Sequence, residues 1–280
     1  MKKDEIIKFI KMKINQSESL KSLLLPCLSF NLSQNLFKNK ENYSKIGGSP
    51  DLFNKDWPII DNHFLTFLGQ ISLNQISELN NILPKNGMLY FFILTTDIGY
   101  RYPDKKGEFR VVYIEDPQQQ AFYNNELKKN LGTQINEFAI NFYENYTFPS
   151  YQESTIERNN ITTSELEIID DIENEIRYSL ENDYDIEHQL LGHPKAVQGT
   201  VRFWWAMNYL EIEQKEQFSK EEISKIHEEE ENFILLLQLN FSDSKINFDY
   251  FGDSIVYFGI HKNDLQNKNF ENVVLTIQNT

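Results

Sequence analysis

Phe64–Leu73 reads FLTFLGQISL, and Phe233–Ser242 reads FILLLQLNFS. Each is a leucine- and phenylalanine-rich run with one glutamine inside it. Each is followed about twenty residues later by a second apolar run, LYFFI at Leu89–Ile93 and VYFGI at Val256–Ile260. Apolar runs this short, with glycines nearby, read as buried strands rather than helices. Aligning Phe67–Ile71 with Leu235–Leu239 superposes Gln70 on Gln238. It also brings Gly87 and Gly252 a few residues ahead of the second block and sets Val111–Ile114 against Val273–Thr276. Three blocks in one order predict an internally duplicated chain. Their hairpin-like spacing predicts mainly antiparallel sheets, and the segregated helical patterns make the class α+β with peripheral helices. One domain is expected over 1–280, built from halves at about 20–150 and 186–280 packed about a pseudo-twofold axis, with a helical segment at about 160–186 between them.

The punctuation between these blocks supports that layout. Ile6, Ile7, Ile10 and Ile14 recur at helical spacing, so an amphipathic helix opens the chain. LLLPCLSFNL reads as an extended stretch with Pro26 at its start or edge. A further helix is expected over Leu73–Leu83, with Ile76, Leu79, Ile82 and Leu83 on one face. Thr162 and Glu165, and again Ser219 and Glu222, have the spacing of a capping box, which predicts firm helix starts before Leu166 and Ile223. The run Glu228–Glu231 reads as a solvated helix end.

Charge narrows the function. The chain carries 42 acidic against 27 basic residues, a formal charge of -15, and no basic run longer than a pair. Such a surface repels nucleic-acid phosphates and anionic membranes, so neither is an expected partner. No stretch approaches the ~20 apolar residues that span a bilayer. Cys27 is the single cysteine, which rules out an intrachain disulfide and fits a reducing cytoplasm.

Several residues are candidates for chemistry. Gln70 and Gln238 hold matched positions; each amide either satisfies a neighbouring backbone or points into a cleft between the halves. Gly47 and Gly48 in KIGGSPDL lack dinucleotide or phosphate-loop spacing and suit positive-φ turns. Trp57 and Pro58 are expected to pack over the sheet. In EHQLLGHPKAVQG, His188 and His193 lie five apart, off a single helical face. A metal could recruit Asp183, Asp185 or Glu187, but no metal and no cofactor is expected. Cys27 reads as an inert buried thiol, and Asp253 beside Gly252 as a turn former.

The segments SKIGGSPDL with DWP, FLGQISL, LPKNGMLYFF, HQLLGHPKAVQG, LLLQL and FGDSIVYFGIHKNDL run in order from Ser44 to Leu265. Together they resemble the YwqG-like family, a bacterial domain of unknown function. The resemblance implies a duplicated, cytoplasmic α+β protein without established catalytic residues. Gly259 departs from it, standing where an aromatic or aliphatic residue is expected, and so does the long loop Asp97–Gly107. The expected function is a non-enzymatic interaction protein whose acidic surface suits a basic protein partner, as a monomer or weak homodimer. The alternative is a small-ligand binder or enzyme with its site between the halves, lined by Gln70, Gln238, Trp57 and the loop of His193 and Gln198, with Gly47, Gly48 and Asp253 as further ligand contacts.

Overall fold

The computed structural model describes residues 3–14, 17–34, 43–52, 57–95, 102–103, 105–117, 135–179, 188–246, 248, 250 and 252–279. Asp183, Asp185 and Glu187, and much of the Asp97–Gly107 loop, lie outside them. One ten-stranded sheet organises the molecule. Its first five strands are β1 (Leu25–Ser33), β2 (Lys45–Ile46), β5 (Thr66–Ser72), β6 (Met88–Ile93) and β7 (Phe109–Ile114). The second five are β8 (Phe138–Thr147), β9 (His188–Leu191), β10 (Phe233–Asn240), β11 (Ser254–His261) and β12 (Val274–Asn279). A small hairpin, β3 (Ile59–Ile60) with β4 (His63–Phe64), stands apart.

Across the sheet the order is β12-β11-β10-β9-β1-β8-β2-β5-β6-β7, with every pairing antiparallel. Read from either edge, the succession is the same: last strand, fourth, third, second, then the first strand of the opposite set. β1 therefore lies beside β9, and β8 beside β2. At the middle pair, Asn31 lies opposite Asn141. The halves expected at about 20–150 and 186–280 are thus not side-by-side sheets: β1 and β8 both fall in the first, and β1 pairs with β9 of the second inside one continuous sheet.

The sheet curls until its two flanks meet. Phe91 of β6 and Phe258 of β11, seven places apart in strand order, touch edge to face with ring centroids 5.2 Å apart. At the edges, Tyr113 of β7 packs on Phe270 at 5.1 Å, Tyr102 bonds Asn279, and Lys268 pairs with Glu115. The sheet is nearly closed, and its inner face holds Leu68, Leu236 and the two central phenylalanines. Its outer face is covered too, so every residue of β5, β6 and β11 is buried and those strands read as unbroken apolar runs rather than alternations.

Helices provide part of that cover. α1 (Lys3–Ile14), α2 (Glu18–Leu23) and α4 (Thr163–Ser179) share a cluster with Phe148, just past the end of β8. α5 (Val201–Tyr209) and α6 (Lys220–Glu230) lie over β10–β12, while short α3 (Ser154–Arg158) and α7 (Lys262–Gln266) sit nearby. Both expected capping boxes form. Thr162 Oγ1 accepts from Glu165 N and Glu165 Oε2 from Thr162 N, and Ser219 with Glu222 does the same.

Three expectations need correction, and three elements went unforeseen. The Leu73–Leu83 helix is only a 3₁₀ turn, Leu73–Ile76. Asn80 ends it by accepting from the amides of Ile82 and Leu83 while donating to Ile76 O, so Leu79 and Ile82 stay exposed. β8, β9 and α5 were not foreseen. The third strand block is offset by two residues, because Val111 lies opposite Phe91 whereas Leu275 lies opposite Phe258. Finally, the Glu228–Glu231 run is not wholly solvated. Glu230 is fully buried, bonded to Ser154 and His227 and ion-paired with Arg158 at 2.9 Å.

Candidate functional site

The two glutamines answer their question at the backbone. Gln70 Oε1 accepts from Asp51 N at 2.9 Å, while Tyr90, directly across the strand pair, donates its hydroxyl to Asp51 O at 2.7 Å. Gln238 Oε1 accepts from Lys195 N at 2.9 Å, and its cross-strand neighbour Tyr257 donates to Lys195 O at 2.6 Å. Each Gln–Tyr pair thus grips both the N–H and the C=O of one residue in the loop that follows β2 or β9. The loops enter alike, through two successive left-handed residues: Gly47 and Gly48, both at φ 69°, and Leu191 and Gly192 at 63° and 72°. A Cβ at Gly47 would lie 2.1 Å from Asn136 O, so the close approach of two backbones requires glycine there. The strand bulges also match, at Leu68 between Phe67 and Gly69 and at Leu236 between Leu235 and Leu237.

These amides do not share a cleft. Gln70 is held by Asp51 and Tyr43 O under the first loop, and β2, β8, β1 and β9 separate its strand from that of Gln238. Trp57 packs on Phe92 and donates to Leu65 O. Gln198 is exposed beside β12, where its Oε1 accepts from Asn279 N. Asp253 lies in the exposed turn before β11. Among the described residues no group of histidine, cysteine and carboxylates could hold a metal ion. His188 instead accepts from Asn240 N and faces Asp243 at 3.2 Å. Burial holds its imidazole neutral by lowering its pKa. Asp243 is also lowered, since bonds from His188 and Lys245 N outweigh its own burial.

Of the eight candidates, His193 lines a large cavity. That pocket, of about 1030 Å³, opens where α2, the start of β1, the Asn81–Pro84 loop, α3, the turn at Leu191–His193, the first turn of α5 and α7 converge. Its lining contains four basic side chains, Arg158, Arg202, Lys262 and Lys268, and one acidic one, Glu231. Three of the four are engaged. Arg158 binds Glu230, Glu231 and His227 O, Lys262 donates to Glu231 O, and Lys268 pairs with Glu115.

Arg202 differs. It is 4% exposed, its Nε has no hydrogen-bond partner, and no described carboxylate forms an ion pair with it. Burial pulls its pKa down, opposed by the more distant charges of Glu153, Glu231 and Glu230, and a guanidinium remains charged throughout. Glu153 is spent elsewhere: its Oε1 caps α5 by accepting from Val201 N at 2.9 Å, while its Oε2 is buried without a partner. Burial raises the Glu153 carboxyl to about 7 even with Arg202 nearby. His193 donates its Nε2–H to Leu23 O at 2.7 Å, which leaves Nδ1 as a buried acceptor with no partner. Burial, then Arg202, lowers its pKa to about 3.

The family described as a domain of unknown function, DUF1963, matches residues 44–278. The chain belongs to DUF1963. No curated protein matches it significantly. The DUF1963 match spans both loop clamps and every strand of the sheet but β1, whereas Ser22, Leu23, Leu25 and Pro26 of the pocket wall precede it. Sequence reasoning missed Arg202. Its signal was a single cation in VRFWWAMNY on the face that also carries Trp205 and Ala206, three and four residues on, which α5 buries.

Proposed function

We propose that the protein binds a small anionic molecule in this pocket and does not turn it over. The observation that carries the reading is Arg202, a buried guanidinium at the wall of a large cavity whose Nε is unbonded and which has no described carboxylate within ion-pair distance. Glu153, Glu231 and Glu230 offset its charge only from beyond ion-pair distance, and an anionic ligand on the guanidinium would offset it directly. Pockets near this size that combine apolar walls with a few polar groups are the usual form of ligand sites. Binding without turnover is supported by His193, whose depressed basicity makes it a poor general base at neutral pH. This reading puts the small-ligand alternative ahead of the acidic-surface one, and moves its site from the glutamines to the floor beneath α2 and α3.

We also propose that the chain is a duplicated, YwqG-like unit of bacterial, cytoplasmic type. The matched Gln–Tyr clamps, left-handed loop entries, bulges and the Asn31–Asn141 centre support duplication. On that view Arg202 is a feature of the second copy, where α5 follows the clamped loop, while Asn81–Pro84 brings part of the pocket wall from the first. A thermal-shift series with acetate, phosphate and longer organic anions tests the binding reading. The melting temperature should rise with at least one anion in the wild type and not in Arg202→Met. Equal rises in both proteins would discard the site.

A further inference from the structure

Resting on the anion-binding reading, we propose that the ligand is amphipathic: a single anionic head, of carboxylate or phosphate type, on an apolar body. The head count follows from the cations. Polyanions such as nucleoside polyphosphates are met by several free basic groups or a run of backbone amides. Here Arg158, Lys262 and Lys268 are already committed to protein acceptors, and Glu231 on the same wall would repel additional negative charge. Arg202 alone is left, and a guanidinium fork suits a single planar or tetrahedral oxyanion.

The apolar body follows from the rest of the wall. Leu25, Pro26, Leu83, Phe233, Ile234 and Leu265 also line the cavity. At the rim Ile82 remains 45% exposed although its neighbour Leu83 is 3% exposed. An unpartnered aliphatic side chain at the mouth of an apolar cavity gains contacts when a chain passes it. A small hydrated anion would leave that surface wet and most of about 1030 Å³ unused.

Isothermal titration calorimetry on the full chain tests this with decanoate below its micelle concentration, hexanoate, acetate, inorganic phosphate, decyl phosphate and decanol. Decanoate or decyl phosphate should bind at least tenfold more tightly than acetate, phosphate or decanol, with hexanoate between. Arg202→Met should reduce decanoate to the affinity of decanol, and Ile82→Asp, at an exposed site that does not threaten folding, should weaken decanoate severalfold. Which of the two long anions binds better identifies the head. Acetate or phosphate binding as tightly as decanoate would overturn the apolar body and leave the anion reading standing. Decanol matching decanoate would overturn the anion reading. No binding by any probe would overturn both.

Discussion

At the residue scale, Gln70 and Gln238 show what a single side chain contributes. Each is fully buried and accepts from a loop amide that would otherwise be stranded. Gln70→Leu and Gln238→Leu should each destabilise the protein by about 1–3 kcal/mol in urea unfolding, and Gln70→Leu should leave ligand affinity in the pocket unchanged. A loss of binding on Gln70→Leu with stability intact would restore the shared-cleft idea. Glu153 makes the opposite kind of contribution. Folding raises its pKa from near 4.5 to about 7, so the folded chain holds a proton that the unfolded chain releases in that window. Stability therefore falls as pH rises from about 4.5 to 7, by on the order of 3 kcal/mol. Glu153→Gln keeps the oxygen that caps α5 and cannot ionise. Its melting temperature should exceed the wild type's at pH 8 and match it at pH 4.5; parallel melting curves at all pH values would contradict the assignment.

At the scale of elements, pattern was legible where burial was uniform. β5, β6, β10 and β11 are covered on both faces, so their runs stood out and the two glutamines fell into register. β8 did not stand out because it is buried only over its first three residues, and FAINFYENYT shows neither a run nor a clean alternation. Leu73–Leu83 had helical spacing, but Asn80 offers the backbone bonds that a helix would have supplied. Gly259 is now accounted for. A Cβ there would lie 2.7 Å from the Trp205 indole, whereas the corresponding place on β6 carries Phe92, packed against Trp57. Gly259→Ala should cost about 1–3 kcal/mol by overpacking α5 against β11, read as a drop in the urea midpoint. A neutral effect would mean that α5 can shift outward freely.

At the scale of the whole molecule, the continuous sheet makes the early and late parts of the chain interdependent. β1 completes the β9 side and β8 completes the β2 side. Fragments 20–150 and 186–280 made separately should fail to fold alone. The second lacks β8 as well as β1, while the first would place β1 and β8 together with no β9 beside them. The intact chain should unfold in one cooperative transition, and a second resolved transition would contradict a continuous sheet. The pocket belongs to this scale too. Its walls come from α2, the Asn81–Pro84 loop, α3, α5 and α7, which lie far apart in sequence, so no local motif could have announced it. His193 alone was singled out, as part of the clamped loop.

The measurement that bears most directly on the central claim is native mass spectrometry of the wild type and Arg202→Met, each isolated from its own cells without denaturation. The wild type should retain a small anionic mass, and Arg202→Met should not. The same retained mass in both, or a bare polypeptide in both, would contradict it.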